Sequence, residues 1–345
     1  MSVTGSLTIT LRLKDSVVYE TALSGAKVVP IGELLRGKSG KEALCIISIL
    51  FGLCPAAQTL AASLAIHSAQ GNAPDTNHLT DLETANALET LRENLLFFVT
   101  RFVTDPEPNL KTKAIAVLRQ IAQGKCPDIA TRAALQNELF DGFNANAKDP
   151  DSLFTSETAI ARAFDALKNI STADSIKPVE NEPDIDIEIV FADPRLLFIT
   201  SGAGGALSRL LPKDALISRI YKGIGNTVFT RTLARYVETR ALLTNPLLIN
   251  AQNTTFAKDR VAISRVHCAR GALYHRVKLD SSGMISDYAI ISPTEMHFGE
   301  RLEALQTAFI GWKVKSVEEL TRKACAYIDS FDPCLAYEVR IVTDA

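Results

Sequence analysis

Residues 43–66 read ALCIISILFGLCPAAQTLAASLAI, and no charged residue interrupts them. A segment of this length could cross a bilayer as one helix. However, Gly52, Pro55 and Gln58 lie inside it, and polar groups placed in lipid without partners carry a high energetic cost. We therefore predict that this segment is the most deeply buried part of a water-soluble core, and we expect no membrane span.

The composition of the whole chain is typical of a soluble globular protein. Its 345 residues include 37 Lys and Arg, 39 Asp and Glu, and 47% hydrophobic residues. This apolar content is sufficient to offset the entropy lost when a chain becomes ordered. The formal net charge of −2 disfavours a nucleic-acid-binding protein, because such proteins normally have a basic face. The six cysteines are scattered and no signal peptide is recognisable, which predicts reduced thiols and a cytoplasmic location.

The hydrophobic patterns predict an α+β fold that is mainly α. Apolar residues alternate along residues 7–13 and resume after a turn at residues 14–16, which predicts a β-hairpin. A second hairpin is predicted where two apolar runs flank residues 280–283. Helical spacing predicts a helix that starts at Thr80, and further helices over residues 110–123, 157–169, 206–243 and 316–330. We expect one domain over residues 1–345, with residues 171–183 as a surface linker or long loop.

One alternative is a nucleotide hydrolase. Residues 32–39, GELLRGKS, match the spacing of a P-loop, in which Lys38 and Ser39 would contact the phosphates and the magnesium ion. A P-loop turns sharply between a strand and a helix, whereas the variable positions here hold bulky residues with a strong preference for helix. We therefore favour a turn of helix for this segment over a phosphate-binding loop.

Two cysteines have sequence surroundings that could present a thiol to a ligand. Cys54 directly precedes Pro55, and Cys334 directly follows Pro333 after a predicted helix. A free cysteine is usually a small buried apolar residue, but a thiol at a break in secondary structure is easier to reach. No two cysteines stand two residues apart, so the spacing of a zinc cluster is absent.

Four blocks of sequence resemble, in the same order, the motifs of the nickel–iron hydrogenase large-subunit family. No block is specific alone, and together they cover both ends of the chain well and the middle poorly. The resemblance implies a hydrogenase large-subunit-like helical core with small β-hairpin sheets. The blocks are LLRGK at residues 34–38 with GLCPAAQ at residues 52–58, ARGALYH at residues 269–275, SGMISDYAIISPT at residues 282–294, and DPCLAYEVR at residues 332–340.

The departures from the family pattern concern the metal ligands. The family holds its nickel–iron centre with four cysteines, two from each terminal motif. Phe51 and Tyr337 stand at two of these positions, and Gln58 and Arg340 stand where the motifs have histidine. Nickel needs a soft thiolate cage, and half of that cage is missing. The resemblance therefore implies no active hydrogenase and no specific nickel site.

The residues that remain match the surroundings of the iron. Cys54 and Cys334 are the two retained cysteines, and the resemblance implies that Arg270 and Thr294, with Pro293, line the cyanide ligands of the iron. Cys54 is expected to be the main anchor, because its counterpart in the family bridges both metals. The counterpart of Cys334 in the family binds nickel terminally and not iron. The second sulfur ligand of the iron is therefore left open between Cys334 in a shifted position and Cys268.

This pattern is similar to the hydrogenase expression/formation proteins of the HupK and HoxV type. The implied role is that of a scaffold that transiently binds the Fe(CN)2(CO) unit, without nickel, and delivers it to the hydrogenase large-subunit precursor. The implied partners are that precursor, a small iron-carrier maturation chaperone and its cofactor-assembly complex. The alternatives are a pseudo-subunit of a hydrogenase complex that binds no metal, and the nucleotide hydrolase.

Overall fold

A set of packed helices and two small β-sheets form the fold in this computed structural model, which describes residues 6–25, 31–168, 170, 205–248, 253–298 and 308–344. The strands are β1 (Leu7–Lys14), β2 (Val17–Ser24), β3 (Thr254–Lys258), β4 (Val261–Cys268), β5 (Gly271–Leu279), β6 (Ile285–Ile291) and β7 (Tyr337–Thr343). The helices are α1 (Ile31–Leu35), α2 (Gly40–Leu50), α3 (Pro55–Ala69), α4 (Thr76–Leu96), α5 (Pro108–Ala122), α6 (Ile129–Leu139), α7 (Ala159–Lys168), α8 (Ala206–Leu210), α9 (Ala215–Ile224), α10 (Val228–Thr244), α11 (Pro293–Phe298) and α12 (Val317–Asp329).

The first sheet joins the two ends of the described chain. The predicted hairpin is present as β1 and β2, and its turn residues Asp15 and Ser16 have φ angles of 51° and 63°. Strand β7 pairs in parallel with β1, with Leu7 opposite Tyr337. The sequence analysis did not predict β7, whose partner lies at the other end of the chain.

The uncharged segment 43–66 forms two helices, α2 and α3, which are separated at Pro55. Helix α3 packs on β4 and β5, and its residues Leu60, Ala61 and Ala62 are fully buried. Helix α2 is buried on one side only, since Ile49 is 77% exposed. The prediction of deep burial is therefore confirmed for α3 and only half correct for α2. Within the described ranges, no helix combines the length and the apolar character that a membrane span needs.

The segment with P-loop spacing adopts helix rather than a phosphate-binding loop. Residues 31–35 form α1, a turn follows at Gly37, and Ser39 is the N-cap of α2. The Ser39 side chain is engaged with Glu42 in a capping box. This geometry does not support the nucleotide-hydrolase alternative, because the hydroxyl and the backbone that would hold phosphate are used to begin a helix.

The second sheet is antiparallel, with strand order β3-β4-β5-β6. The predicted hairpin is present as β5 and β6, and the Asp280 carboxylate accepts hydrogen bonds from the backbone of Ser282 and Met284 in the turn. Strands β3 and β4 were not predicted. One face of this sheet receives α3, which brings the segment after Cys54 against the strands that flank Arg270.

The helical predictions are correct in type and inexact in their bounds. Helix α4 starts four residues before the predicted Thr80, because Asp75 is its N-cap and accepts from the backbone of Asn77 and His78. The predicted 206–243 region forms three helices, α8 to α10, and α12 begins after its predicted cap Ser316. The predicted linker at residues 171–183 lies outside the described residues.

Candidate functional site

Cys54 lies at the start of α3, where the backbone of α3 is held by α4. Pro55 occupies the first turn of the helix and has no N–H to satisfy. The next two amides, of Ala56 and Ala57, donate to the Glu89 carboxylate at 2.9 and 3.1 Å. Burial raises the pKa of Glu89 to about 7, while these amide donors oppose the shift. This contact fixes the position of the Cys54 backbone relative to α4.

Cys334 lies in the loop between α12 and β7, and α11 holds it in place. Asp332 adopts a left-handed conformation with φ of 51°, which turns the chain sharply after α12. The backbone N–H of Cys334 then donates to Thr294 Oγ1 at 3.0 Å. Thr294 follows Pro293 at the start of α11, and both residues are buried. The loop is therefore anchored to the residues that the resemblance implies as cyanide neighbours.

The thiols of Cys54 and Cys334 are close enough to share a hydrogen bond, and both residues are half-buried and free of disulfides. The hydrogen bond donated by Cys54, the positive charge of the nearby Arg270 and a hydrogen bond from the Thr294 hydroxyl all lower the pKa of Cys334. They outweigh burial, which raises it, and bring this pKa to about 6. The same hydrogen bond and burial raise the pKa of Cys54 well above its ordinary value. At neutral pH the pair therefore consists of a Cys334 thiolate and a Cys54 thiol that share one proton.

We expect the metal-free protein to show this acidic thiol directly. The ultraviolet absorbance of thiolate should rise with a midpoint near pH 6, because Cys334 is the anionic member of the pair. A Cys54→Ala variant should move that midpoint upward, since the hydrogen bond that stabilises the thiolate is lost. A Cys334→Ala variant should have no transition in this range, and persistence of the transition in that variant would assign it to another cysteine.

Arg270 lies beside the thiol pair and is held by two carboxyl-bearing residues. Its Nη2 donates to Glu93 Oε2 at 2.7 Å, and its Nε donates to the backbone carbonyl of Asp332 at 2.8 Å. Burial opposes its charge, but Cys334, Asp332 and Glu93 outweigh burial and keep its pKa above the ordinary value. No hydrogen bond of Arg270 within the described residues uses Nη1, so this nitrogen has both protons available for a ligand.

Asp332 connects Arg270 with two further arginines. Its carboxylate is in ion pairs with Arg101 and, at 3.0 Å, with Arg235. Arg235 is also bonded to Asn94 Oδ1 at 2.8 Å and stacks over the Phe97 ring. The arginines outweigh burial and hold the pKa of Asp332 below its ordinary value. Asp332 therefore links three guanidinium groups, those of Arg101, Arg235 and Arg270.

Gln58 contacts Cys54 through a chain of buried polar side chains. Its Nε2 lies 3.9 Å from Cys54 Sγ, its Oε1 accepts from His275 Nε2 at 2.8 Å, and His275 Nδ1 accepts from the Tyr288 hydroxyl at 2.8 Å. Burial lowers the pKa of His275 to about 3, so the ring is neutral and this arrangement of protons satisfies both ring nitrogens. His275 thereby orients the Gln58 amide so that an N–H group points to the sulfur.

Cys268 differs from the other two candidate ligands. It is buried beside Ala57 and Leu273, and its thiol donates to the Gly271 carbonyl at 3.2 Å. Burial raises its pKa to about 11. The structure thus gives Cys268 the properties of a neutral core residue, and a metal would have to break this hydrogen bond to use it.

The structure brings together most of the residues that the sequence singled out, and adds others. Cys54, Cys334, Arg270 and Thr294 meet at one place, and Pro293 is the buried chain neighbour of Thr294. Cys334 is the more acidic thiol, although the resemblance favours Cys54 as anchor. Within the described ranges, no group of three or more His, Cys, Asp or Glu side chains is arranged to hold a metal ion. The sequence analysis missed Glu89 and Glu93 on α4 and Arg235 on α10. Helical periodicity does not indicate the two glutamates, because on α4 both Glu89 and Glu93 lie away from the face that Leu88, Leu91 and Leu95 define.

Comparisons with known proteins agree with the fold and with the resemblance. No protein-family model matches the chain. The chain is 27% identical to the hydrogenase expression/formation protein HupK of Azotobacter vinelandii, over 98% of this chain and 99% of that protein. It is 25% identical to HupK of Rhizobium leguminosarum bv. viciae, over 98% of this chain and 96% of that protein. It is 27% identical to HupV of Azotobacter chroococcum, again over 98% of this chain.

Solved hydrogenase structures share the fold. The Ni-Fe-Se hydrogenase of Desulfovibrio vulgaris Hildenborough in its reduced state aligns with a TM-score of 0.61 and 15% identity, covering 93% of this chain and 94% of the other. The Ni-Fe-Se hydrogenase of Desulfomicrobium baculatum aligns with a TM-score of 0.60 and 15% identity, covering 94% and 95%. Over 98% of its length the chain is thus similar to the HupK and HupV hydrogenase expression/formation proteins, and it has the α+β fold of the nickel–iron hydrogenase large subunits.

Proposed function

We propose that this chain is a maturation scaffold that transiently holds the Fe(CN)2(CO) unit between Cys54 and Cys334 and delivers it to a hydrogenase large-subunit precursor. The proposal includes delivery of the unit to the scaffold by a small iron-carrier chaperone with its cofactor-assembly complex, in the cytoplasm. One observation carries the proposal: the thiols of two cysteines 280 positions apart in the chain, Cys54 and Cys334, lie within hydrogen-bond distance of each other beside the buried Arg270 guanidinium. The names of the relatives, which are formation proteins, support a role in maturation.

The thiol pair is suited to bind one iron. First-row metals bind thiolate sulfur at about 2.3 Å, so two sulfurs on one metal must be near neighbours, as a hydrogen-bonded pair is. Because Cys334 is a thiolate at neutral pH and Cys54 is a thiol, only the Cys54 proton has to leave when iron binds both. The released proton goes to solvent or to a buffering group, and no electron transfer is required.

The donors around the pair suit an anionic cargo. The two cyanides place negative charge on nitrogens that accept hydrogen bonds, and charge-assisted hydrogen bonds are the strongest that side chains make. Arg270 has its Nη1 available, and the Thr294 hydroxyl already contacts Cys334. The ion pairs of Arg270 with Glu93 and Asp332 hold the guanidinium in one orientation before the cargo arrives.

The side chains at the two positions where the family has cysteine make contacts away from the thiol pair. The Tyr337 hydroxyl donates to Asp329 Oδ1 at 2.8 Å, and Phe51 packs against the apolar cluster around Ile47 and Tyr288. The ligand set therefore consists of two sulfurs rather than four, which supports binding of the iron unit without nickel. It also supports release, since a carrier must hold its cargo less tightly than the final site does.

Infrared spectroscopy of protein purified without air from its native host tests the proposal. We expect cyanide and carbonyl stretching bands, together with iron and no stoichiometric nickel in metal analysis, because the site offers two sulfurs and cyanide donors. Protein from a host that cannot make the cyanide ligands is the control and should show no bands. Absence of the bands from the wild-type preparation would contradict the proposal and favour the pseudo-subunit that binds no metal.

A further inference from the structure

The contact between the Cys54 and Cys334 thiols has a consequence for the redox chemistry of the metal-free protein. The two cysteines stand 280 positions apart in the chain, yet their thiols are within hydrogen-bond distance of each other, and neither is in a disulfide. Both residues are half-buried rather than fully enclosed, so a molecule as small as hydrogen peroxide can reach them. The fold therefore presents two neighbouring reduced sulfurs to a small oxidant.

The backbone on either side of this contact allows the two sulfurs to come closer. A disulfide bond is about 2.05 Å long, so the sulfurs must move nearer than hydrogen-bond distance. Cys54 is the N-cap of α3 and its side chain makes no capping hydrogen bond, and the exposed Gly52 has open space around it. Cys334 lies in the loop between α12 and β7. Because neither cysteine lies inside a helix or a strand, bond formation breaks no regular structure.

Cys268 is the competing partner for Cys54, because it also lies near that thiol. However, Cys268 is buried and its thiol donates to the Gly271 carbonyl at 3.2 Å. It would have to give up this hydrogen bond to reach Cys54, whereas the Cys334 thiol already contacts Cys54. The geometry therefore favours a bond between Cys54 and Cys334.

We propose that Cys54 and Cys334 form a reversible disulfide, which closes the iron site while the site is empty and peroxide is present. Two sulfurs that are bonded to each other have no thiolate to offer a metal, so the oxidised chain cannot accept iron. The bond also protects both sulfurs, because a sulfenic acid with no thiol nearby is open to irreversible oxidation to sulfinic acid. The consequence for iron loading rests on the function proposed above, whereas bond formation concerns the metal-free chain alone.

The chemistry is a two-electron oxidation by hydrogen peroxide. One sulfur, as its thiolate, attacks a peroxide oxygen, the O–O bond breaks, and a sulfenic acid and hydroxide form. The sulfur of the second cysteine then attacks the sulfenic sulfur, so that the S–S bond forms and the S–O bond breaks. The two hydroxides that leave take up the two thiol protons as water. A dithiol reductant reverses the change by thiol–disulfide exchange.

Stoichiometric hydrogen peroxide, added to the metal-free, full-length protein, tests the proposal. The protein is made in a host that cannot make the cyanide ligands, and it is kept reduced and free of air until the peroxide is added. We expect most chains to lose the mass of two hydrogen atoms, and a non-reducing digest to contain one peptide pair joined through Cys54 and Cys334. Dithiothreitol should restore the starting mass. Two unreacted thiols, sulfinic acid at either cysteine, or a bond from Cys54 to Cys268 would overturn the proposal.

Cysteine variants provide a second test in a denaturing gel without reductant. The oxidised wild-type chain should migrate faster than the reduced chain, because a bond across 280 positions makes the denatured chain more compact. Cys54→Ser should lose the fast form, and peroxide should then oxidise Cys334 to sulfinic acid. Cys126→Ser removes an exposed thiol outside the site and, as the matched control, should behave as the wild type does. A fast form that persists in Cys54→Ser would assign the bond to other cysteines, and the wild-type digest decides the question even where a variant fails to fold.

Infrared spectroscopy separates the failure of this inference from the failure of the proposed function. A disulfide in the empty chain, together with missing cyanide and carbonyl bands in protein from the native host, would refute the iron scaffold and leave the disulfide standing. Infrared bands in the native protein, together with two unreacted thiols in the peroxide-treated empty chain, would refute the disulfide and leave the scaffold standing.

Discussion

Replacement of Cys334 by Ala is expected to abolish the cyanide and carbonyl infrared bands of the anaerobically purified protein. Cys334 is the sulfur whose pKa is about 6, so it supplies the thiolate that meets the iron first. Cys54→Ala should have the same result, because a single remaining sulfur cannot chelate the iron. Bands should be measured at equal protein concentration, and folding should be confirmed by circular dichroism. Both variants should also halt formation of the mature large subunit in cells.

The other cysteines provide the controls for this expectation. Cys126→Ala removes an exposed thiol outside the site and should leave the bands unchanged. Cys268→Ala should also retain them, because this thiol is neutral and donates to Gly271. If Cys268→Ala lost the bands while Cys54→Ala kept them, the ligand assignment would be wrong, although the proposal of an iron scaffold would survive.

The sequence predicted the local elements of the fold better than its long-range pairings. The hairpin at β1 and β2 has alternation and turn residues within a few positions, so one short segment contains all the necessary information. The pairing of strand β7 was missed because its partner is β1, at the other end of the chain. Tyr337, Val339 and Ile341 do alternate with Glu338 and Arg340, so a local strand signal was present and was overlooked. Strand β4 was missed for a different reason, because residues 261–268 are mostly buried and do not alternate, and β3 was missed because all of its residues are exposed.

The site was predictable only through the resemblance to a known family. Cys54 and Cys334 are ordinary cysteines by local sequence, and only the matched motifs indicated that the chain ends meet. The ion pairs of Arg270 with Glu93 and of Arg235 with Asp332 join elements that are distant in the chain, and no local pattern reports such pairs. The Gln58–His275 contact was missed as well, since a glutamine in place of a motif histidine suggests a lost function rather than a new hydrogen bond.

Replacement of Arg270 by Lys is expected to weaken retention of the iron unit about tenfold to a hundredfold. The ammonium group keeps the positive charge but lacks the planar fork of donors that contacts Glu93 and Asp332 while leaving Nη1 available. The loss of one hydrogen bond to a charged group costs about 1.5–3 kcal/mol, which corresponds to this range. Retention should be measured as the intensity of the infrared bands that remains after gel filtration or dialysis for increasing times.

The band positions distinguish a cyanide donor from a residue that only supports the fold. If Arg270 donates to a cyanide nitrogen, the Lys variant should shift the cyanide stretches more than the carbonyl stretch, because the altered hydrogen bond is at the cyanide. Arg276→Lys is the matched control, since Arg276 lies on β5, six residues after Arg270, and pairs with the half-exposed Asp287. It should leave band positions and retention unchanged. Wild-type retention and unshifted cyanide bands in the Arg270→Lys protein would assign Arg270 to the support of Glu93 and Asp332, because removal of a donor to the cargo must change both readouts.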